Sequence, residues 1–391
     1  MFKKSLLLCF IFSICAIQTF GWSPKAKASL ITVSPGDELY SGFGHSAIWI
    51  FDPEMGIDNV YNYGTFDFDT PGFYTKFVQG KLPYMLSVSE IKYLMYGAQY
   101  EGRSVIEQEL NLTEHQLNRL YTFLENNYLP ENRFYKYDFF FDNCSSRLRD
   151  ALQHVFADSL QFNLKEEKPL SFRQLIDPYL RDKQLQDLGM DIGLGSPADR
   201  IATPYDYMFL PDHLLAGFDS GLILTADGNQ VPLVKTKSLI FDANYQASVT
   251  PFYLTPLFFT SIIFLLGLVL TFVNRKKVPK RYFADSFFFL VLGLLGCLLV
   301  FLWFGTDHKV TINNFNLIWA FPMHIIASVV LINRSRTKAW NLYFLITAIV
   351  TLLFIVSIPI IPQEINIAVL PLLLLLALRS FVIYYKSGKA L

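Results

Sequence analysis

The chain has 391 residues, of which 52% are hydrophobic, 16% aromatic and only 17% charged. Soluble domains carry about 25% charged residues, so this composition excludes a disordered chain and a wholly soluble enzyme. Lysine plus arginine and aspartate plus glutamate number 33 each, so the chain lacks the basic excess that contacts with nucleic-acid phosphates require. Four cysteines are too few for a scaffold built on disulfides.

Residues 1–28 have the pattern of a secretory signal peptide. Lys3 and Lys4 precede an apolar run from Ser5 to Ala16, and Ala26-Lys27-Ala28 supplies small residues for cleavage before Ser29. An uncleaved signal anchor is the alternative interpretation. Both predict that the residues that follow are exported.

The rest of the chain divides into two parts by its apolar content. Residues 29–250 mix polar and apolar side chains at the density of a globular domain. Residues 251–391 contain apolar runs, each near the roughly 20 residues that a helix needs to cross about 30 Å of hydrocarbon. Five spans are predicted: Leu254–Val273, Ser286–Phe304, Phe315–Ile332, Leu342–Ile361 and Ile365–Tyr385.

The basic residues of the short loops predict the orientation of these spans. They lie between spans one and two (274–281), between spans three and four (333–338), and after span five at Lys386 and Lys389. Loops rich in lysine and arginine stay on the cytoplasmic side. We therefore expect a cytoplasmic C-terminus and a large domain on the opposite side of the membrane, which is also what the leader predicts.

Cys144 is the single cysteine of the predicted exported domain. It is buried, paired with another chain, or kept as a reactive thiol. Asp142 and Asn143 are good helix N-caps, and apolar residues from Leu148 onward repeat at helical spacing, which places Cys144 in the first turn of a helix. The helix dipole favours a thiolate there, and the free N–H groups suit an oxyanion hole. A small structural residue at the start of the helix is the alternative.

Among the four histidines of this domain, His45 is the best candidate for a general base. His115 lies in the first turn of a predicted solvated helix, and His154 lies more than two turns along the Cys144 helix. His213 has no informative context. His45 follows Gly-Phe-Gly and opens an alternating run that is typical of a strand.

A third polar residue is needed to orient the imidazole, as in other cysteine–histidine sites. Asn62 lies on the predicted returning strand and is our candidate, with Thr65 and Asp67 as alternatives. Because the register of the two strands is not fixed by the sequence, the assignment to Asn62 is a hypothesis.

An ordered set of short motifs resembles one family, the Lnb-type lipoprotein N-acyltransferases. The motifs that resemble its periplasmic domain are Gly42-Phe43-Gly44-His45-Ser46, Tyr61-Asn62-Tyr63-Gly64, Gly80-Lys81-Leu82, Tyr135-Lys136-Tyr137-Asp138-Phe139, Asp142-Asn143-Cys144-Ser145 and Phe209-Leu210-Pro211-Asp212. Its membrane domain is matched by Thr306-Asp307-His308, Asn314-Phe315-Asn316-Leu317-Ile318-Trp319 and Phe321-Pro322. The resemblance covers nearly the whole mature chain.

The resemblance implies a fold, a location and a reaction. The exported part would have an α+β, circularly permuted papain-like fold, similar to lecithin:retinol acyltransferase and NlpC-type proteins, and an all-α membrane domain of five helices would hold it in the bacterial inner membrane. The reaction would move an acyl chain from a membrane phospholipid to the α-amino group of a diacylated lipoprotein. Cys144 would be the nucleophile, His45 the base and Asn62 the residue that holds the ring.

Two further groups of residues are candidates for substrate binding. The first group consists of polar residues at the start of the nucleophile helix and in the exported loop of the membrane domain: Asn143, Asp307, His308, Asn314 and Asn316. A polar interfacial loop is the alternative for the last four. The second group is the aromatic segment between Phe66 and Tyr84, for which the sequence favours a role in the core over an acyl-binding groove.

The same residues bear on cofactors and on alternative functions. No His/Cys/Asp set has metal-ligand spacing and no glycine-rich phosphate loop follows a strand, so we predict no cofactor. An NlpC-like cell-wall peptidase or amidase would use the same cysteine and histidine, but a soluble polymer substrate does not require five spans. A membrane-anchored assembly module with an inert Cys144 is the third interpretation.

Overall fold

The structure is a computed structural model that describes residues 21–38, 40–164, 168–225, 227–244, 250–276, 281–333 and 337–388. Most of the predicted signal peptide lies outside the described residues. Trp22 packs edge-on against Tyr121, and Ser23 Oγ donates to Asp52 Oδ1 at 2.7 Å. The folded domain therefore begins before residue 29, the predicted boundary.

The exported part is built on antiparallel strands. They are β1 (Lys27–Val33), β2 (His45–Asp52), β3 (Ile57–Thr65), β4 (Pro83–Ser89), β5 (Val105–Leu110), β6 (Phe134–Lys136), β7 (Leu160–Phe162), β8 (Gly221–Leu224), β9 (Gln230–Pro232) and β10 (Val234–Phe241). Seven of them form one sheet in the order β10-β5-β1-β2-β3-β4-β6, and β7-β8-β9 form a second sheet. The first residue of β1 thus lies inside the motif predicted for cleavage.

Eight helices accompany these strands in the described part of the domain. They are α1 (Phe73–Val78), α2 (Ile91–Tyr100), α3 (Glu114–Tyr128), α4 (Cys144–Phe156), α5 (Phe172–Ile176), α6 (Gln184–Gly193), α7 (Pro204–Tyr207) and α8 (Pro211–Asp219). The apolar face of α4, with Leu148, Leu152 and Val155 buried, packs on β2 and β3. This packing confirms an α+β domain, whereas the permuted papain-like relationship stays a prediction.

The membrane domain differs from the predicted set of five full-length spans. Its helices are α9 (Pro256–Val273), α10 (Phe283–Phe304), α11 (His324–Asn333), α12 (Lys338–Ser357) and α13 (Leu370–Gly388). Among the described residues, four of them are long and apolar enough to cross a membrane, and α11 is not. The third predicted span, Phe315–Ile332, is wrong as a continuous helix, because a 3-10 turn at Phe315–Ile318 and Pro322 precede the ten residues of α11.

The ends of the helices show which loops share a side. The loop after α10 and the loop after α12 contact the exported domain. At the other end, Lys386 Nζ donates to the carbonyl of Asn274 at 2.6 Å, and Tyr282 N–H donates to Leu331. The described residues that flank the predicted basic loops thus share the end of the bundle that lies away from the exported domain, whereas residues 277–280, 334–336 and Lys389 lie outside the described part of the chain.

Candidate active site

Cys144 is the first residue of α4, as the sequence predicts, and Asn143 is the N-cap. The Asn143 side-chain oxygen accepts from the N–H groups of Ser145 and Ser146, both at 2.9 Å, and its Nδ2 donates to the carbonyls of Phe139 and Phe209. Asn143 is only 3% exposed. Its amide is fully used in holding the start of the helix, and its contact with substrate stays a prediction.

The strand register brings His45 and Asn62 together beside Cys144. Asn62 Nδ2 donates to the Val60 carbonyl, which turns Oδ1 towards the imidazole, 3.2 Å from Nε2 of His45. Nε2 must carry a proton to donate to this oxygen. The other ring nitrogen, Nδ1, is then left for the hydrogen bond between His45 and the sulfur of Cys144.

The electrostatics of the pair favour an activated thiol. Burial raises the pKa of the Cys144 thiol. The charge of His45 and the hydrogen bond with its ring together lower the pKa by more than burial raises it, to about 7. For His45, burial lowers the pKa, while the Cys144 charge and the hydrogen bonds with Cys144 and Asn62 raise it above its ordinary value. A thiolate–imidazolium pair is therefore well populated near neutral pH.

The other residues considered for these roles lie elsewhere. Thr65 Oγ1 is 2.7 Å from Ser87 Oγ, and Asp67 is exposed. The rings of His154 and His213 pack against Phe123 and Tyr207. These residues are candidates neither for the base nor for its orientation.

Gly64 leaves a space beside Cys144. Its φ of +88° is in the left-handed region, and a Cβ placed there would lie 3.6 Å from the Tyr137 ring, 3.7 Å from Cys144 Cβ and 3.9 Å from the Tyr135 hydroxyl. The Tyr135 hydroxyl is buried and has no hydrogen-bond partner among the described residues. A buried donor without an acceptor costs free energy, so we count Tyr135 as a site residue to which the sequence assigned no role.

A cavity of about 620 Å³ adjoins this space. Tyr63 and Tyr137 line it on one side, and Asp307 and His308 from the membrane domain line it on the other. Cys144 does not line this cavity. Tyr137 lines it and also borders the space beside Cys144, so the Tyr137 ring lies between the cavity and the sulfur. Two of the predicted substrate-binding residues, Asp307 and His308, therefore line this cavity.

Asn314 and Asn316 do not face the site. Asn314 Nδ2 donates to the Ile192 carbonyl at 2.7 Å, and Asn316 Nδ2 donates to the same carbonyl at 3.2 Å. They are 3% and 1% exposed. These amides join the membrane domain to the exported domain, and their role in substrate binding stays a prediction.

Three carboxylates that are distant in sequence also meet near this joint. Oxygen atoms of Asp177, Asp187 and Asp191 lie within 4.8 Å of one another, a geometry that a metal ion could use. Burial and the neighbouring carboxylates raise the pKa of Asp177 to about 7 and that of Asp187 to about 6. Their spacing along the chain gave no metal-ligand pattern, and only the fold brings them together.

Taken together, the fold and the site define a membrane protein with an α+β domain, outside its spanning helices, that carries a cysteine, a histidine and an asparagine in contact. Residues 23–178 match the family model described as the Lnb N-terminal periplasmic domain, and residues 247–390 match the one described as the Lnb transmembrane domain. The chain belongs to the Lnb family and has the architecture of the Lnb-type lipoprotein N-acyltransferases. Comparison with curated proteins and with solved structures gave no match.

Family membership places the chain among the membrane proteins of lipoprotein maturation, with an enzyme role in lipoprotein processing. The matches leave residues 179–246 between the two domains. That stretch contains α6 to α8 and most of the second sheet, and α6 supplies the carbonyl that accepts from Asn314 and Asn316.

Proposed function

We propose that the protein is a cysteine-dependent lipoprotein N-acyltransferase. It would take an acyl chain from a membrane phospholipid and transfer it to the α-amino group of a diacylated lipoprotein. The observation that carries the proposal is the Cys144–His45–Asn62 arrangement beside a cavity whose opposite wall comes from the periplasmic loop of the membrane domain.

In the first step, the Cys144 thiolate attacks the carbonyl carbon of a phospholipid ester. The C–S bond forms, the ester C–O bond breaks, and the lysophospholipid alkoxide leaves with the proton of the His45 imidazolium. The backbone N–H of Cys144 at the helix start, together with the Tyr135 hydroxyl, supplies donors for the developing oxyanion.

In the second step, the lipoprotein amine attacks the thioester carbonyl. Neutral His45 takes a proton from the amine, the C–N bond forms, and the C–S bond breaks to return the Cys144 thiolate. Asn62 keeps Nδ1 of the imidazole directed at the sulfur throughout. A thioester divides one difficult transfer into two easier steps.

The membrane domain supports this reaction by holding the site near the lipids. Both substrates have their acyl chains in the bilayer, so a tethered domain searches a surface instead of a volume. Asp307 and His308 would contact the substrate headgroup in the cavity. In this proposal the C-terminus is cytoplasmic, and neither a metal nor a cofactor takes part.

The test uses purified full-length protein, phospholipid vesicles and a diacylated lipoprotein, with intact-mass analysis of the lipoprotein. We expect a gain of one acyl mass with the native chain and with the exposed-histidine control His115→Ala. Cys144→Ala and His45→Ala should give none. Peptide cleavage without a mass gain would favour the peptidase. A Cys144 that resists alkylation, with a Cys144→Ser variant that retains full function, would favour an assembly module. Either result contradicts the proposal.

A further inference from the structure

The segment between β3 and β4, residues 66–80, carries more exposed aromatic surface than a domain core allows. Phe68 is 68% exposed, Tyr74 80% and Phe77 47%, and no residue of α1 is buried. The sequence favoured a core role for these aromatic residues, and the exposure contradicts it. We call residues 66–80 the aromatic arm.

Two hydrogen bonds hold the arm against the membrane domain. The Gln79 carbonyl accepts from Asp307 N–H at 2.9 Å, and the Val78 carbonyl accepts from His308 Nε2 at 3.1 Å. Asp307 comes three residues after Phe304, where α10 ends. Three residues span at most about 11 Å, so the end of α1 lies close to the periplasmic end of a helix that crosses the membrane.

Aromatic contacts continue from the arm to the nucleophile. The Phe68 and Phe73 rings lie 5.0 and 5.8 Å from Phe66, and Phe66 lies 5.5 Å from Tyr84. Tyr84 stacks on Tyr137 at 4.3 Å between ring centroids. Tyr137 borders the space beside Cys144 that Gly64 leaves open.

We propose that the aromatic arm inserts into the periplasmic leaflet and guides the acyl chain of the donor phospholipid along its rings towards Cys144. The insertion stands on the geometry alone, whereas the guiding role rests on the proposed function. A lipid surface is the occupant because the arm is hydrogen-bonded to the loop that directly follows α10, whose last residue, Phe304, is 74% exposed. Tyrosine favours the membrane–water interface, and phenylalanine favours the boundary with the acyl chains.

The position of the arm is tested without reference to activity. The full-length chain, with its four native cysteines replaced by serine, receives Tyr74→Cys or the control Tyr93→Cys, which is 61% exposed. Tyr93 lies at the start of α2, where Ile91 N–H donates to Asp58 at the end of the sheet opposite His45. Each variant is labelled with an environment-sensitive dye and reconstituted in vesicles that contain phospholipid with a nitroxide high on its acyl chain. We expect strong quenching at position 74 and little at 93. Equal quenching at the two positions would overturn the insertion.

The guiding role is tested with the native cysteines in place. The triple variant Phe68→Ser, Tyr74→Ser, Phe77→Ser should transfer acyl chains from vesicle phospholipid about tenfold more slowly or worse, yet keep the native rate with a short-chain phospholipid dissolved in water. The matched triple Tyr93→Ser, Tyr96→Ser, Tyr100→Ser should keep both rates.

Two readouts keep the outcomes separate. An unchanged rate of Cys144 alkylation shows that the arm variant is folded, and a native rate on vesicles would then overturn the guiding role. If the native chain transfers from neither donor, the proposed function has failed, and the quenching experiment still decides whether the arm enters the membrane.

Discussion

The guanidinium of Arg147 lies 3.5 Å from the centre of the Tyr135 ring. The same Arg147 forms a bidentate ion pair with Asp142 at 2.6 and 2.8 Å, so its position over the ring is fixed. A fixed cation over a phenol makes its O–H a better hydrogen-bond donor. Burial raises the pKa of Tyr135, so the hydroxyl keeps its proton and is available to an oxyanion.

Tyr135→Phe removes this donor without changing the size of the ring. We expect acyl transfer to slow by about 100-fold, since loss of one oxyanion-hole donor typically costs that much. Alkylation of Cys144, which forms no oxyanion, should keep its rate. Tyr121→Phe, a tyrosine that packs against Trp22 instead, is the control. Native transfer by Tyr135→Phe would remove Tyr135 from the mechanism.

The reactivity of Cys144 should depend on pH through His45. The rate of iodoacetamide alkylation should rise with a midpoint near pH 7, below the value of about 8.5 for a free cysteine. In His45→Ala the lowering charge is lost and burial remains, so the midpoint should move upwards. If both chains titrate alike, the two side chains do not form an ion pair.

The carboxylates near the joint should make stability fall as pH rises. Burial and the neighbouring carboxylates raise the pKa of Asp177 to about 7 in the folded state, whereas an aspartate in the unfolded chain has a pKa of about 3.9. Between these two values the folded state binds more protons than the unfolded state. The free energy of unfolding therefore decreases as pH rises across that window. Asp177→Asn should raise the melting temperature at pH 8 and change it little near pH 4. A lower melting temperature at pH 8 would show that Asp177 is needed in its charged form.

An ion pair inside the membrane domain should also stabilise it measurably. Arg379 binds Asp285 through both carboxylate oxygens, at 2.6 and 2.8 Å, and Asp285 is 5% exposed. Removing one partner of a buried pair costs about 3 kcal/mol or more, because the other charge is left alone. Asp285→Ala should therefore lower the melting temperature in detergent, and the double replacement Asp285→Leu, Arg379→Met should recover part of the loss. A double variant less stable than Asp285→Ala would contradict this reasoning.

Local patterns were enough to predict the elements that carry Cys144 and His45. The caps before Cys144 and the alternation after His45 are signals within ten residues of sequence, and the structure has α4 and β2 beginning at these two residues. The position of Asn62 beside His45 also depends on the pairing of β2 with β3, which the structure shows.

Residue roles that depend on contacts between distant parts of the chain could not be predicted in the same way. Asn314 and Asn316 are polar residues beside hydrocarbon, and nothing local distinguishes an amide that binds substrate from one that binds the Ile192 carbonyl. The aromatic arm has the composition of a core, because bilayer and core select the same side chains. Membrane helix α11 was predicted too long, since hydropathy does not register the turn at Pro322.

The joint between the two domains determines how the molecule unfolds. Gly195 N–H donates to Val310 at 2.8 Å, and a Cβ on Gly195 would lie only 1.9 Å from the Ile312 carbonyl oxygen. Backbones this close prevent the exported domain from rotating relative to the membrane domain. Heating should melt both halves in a single cooperative transition, and the distance of the sulfur from the lipid headgroups should be a fixed property of the native fold.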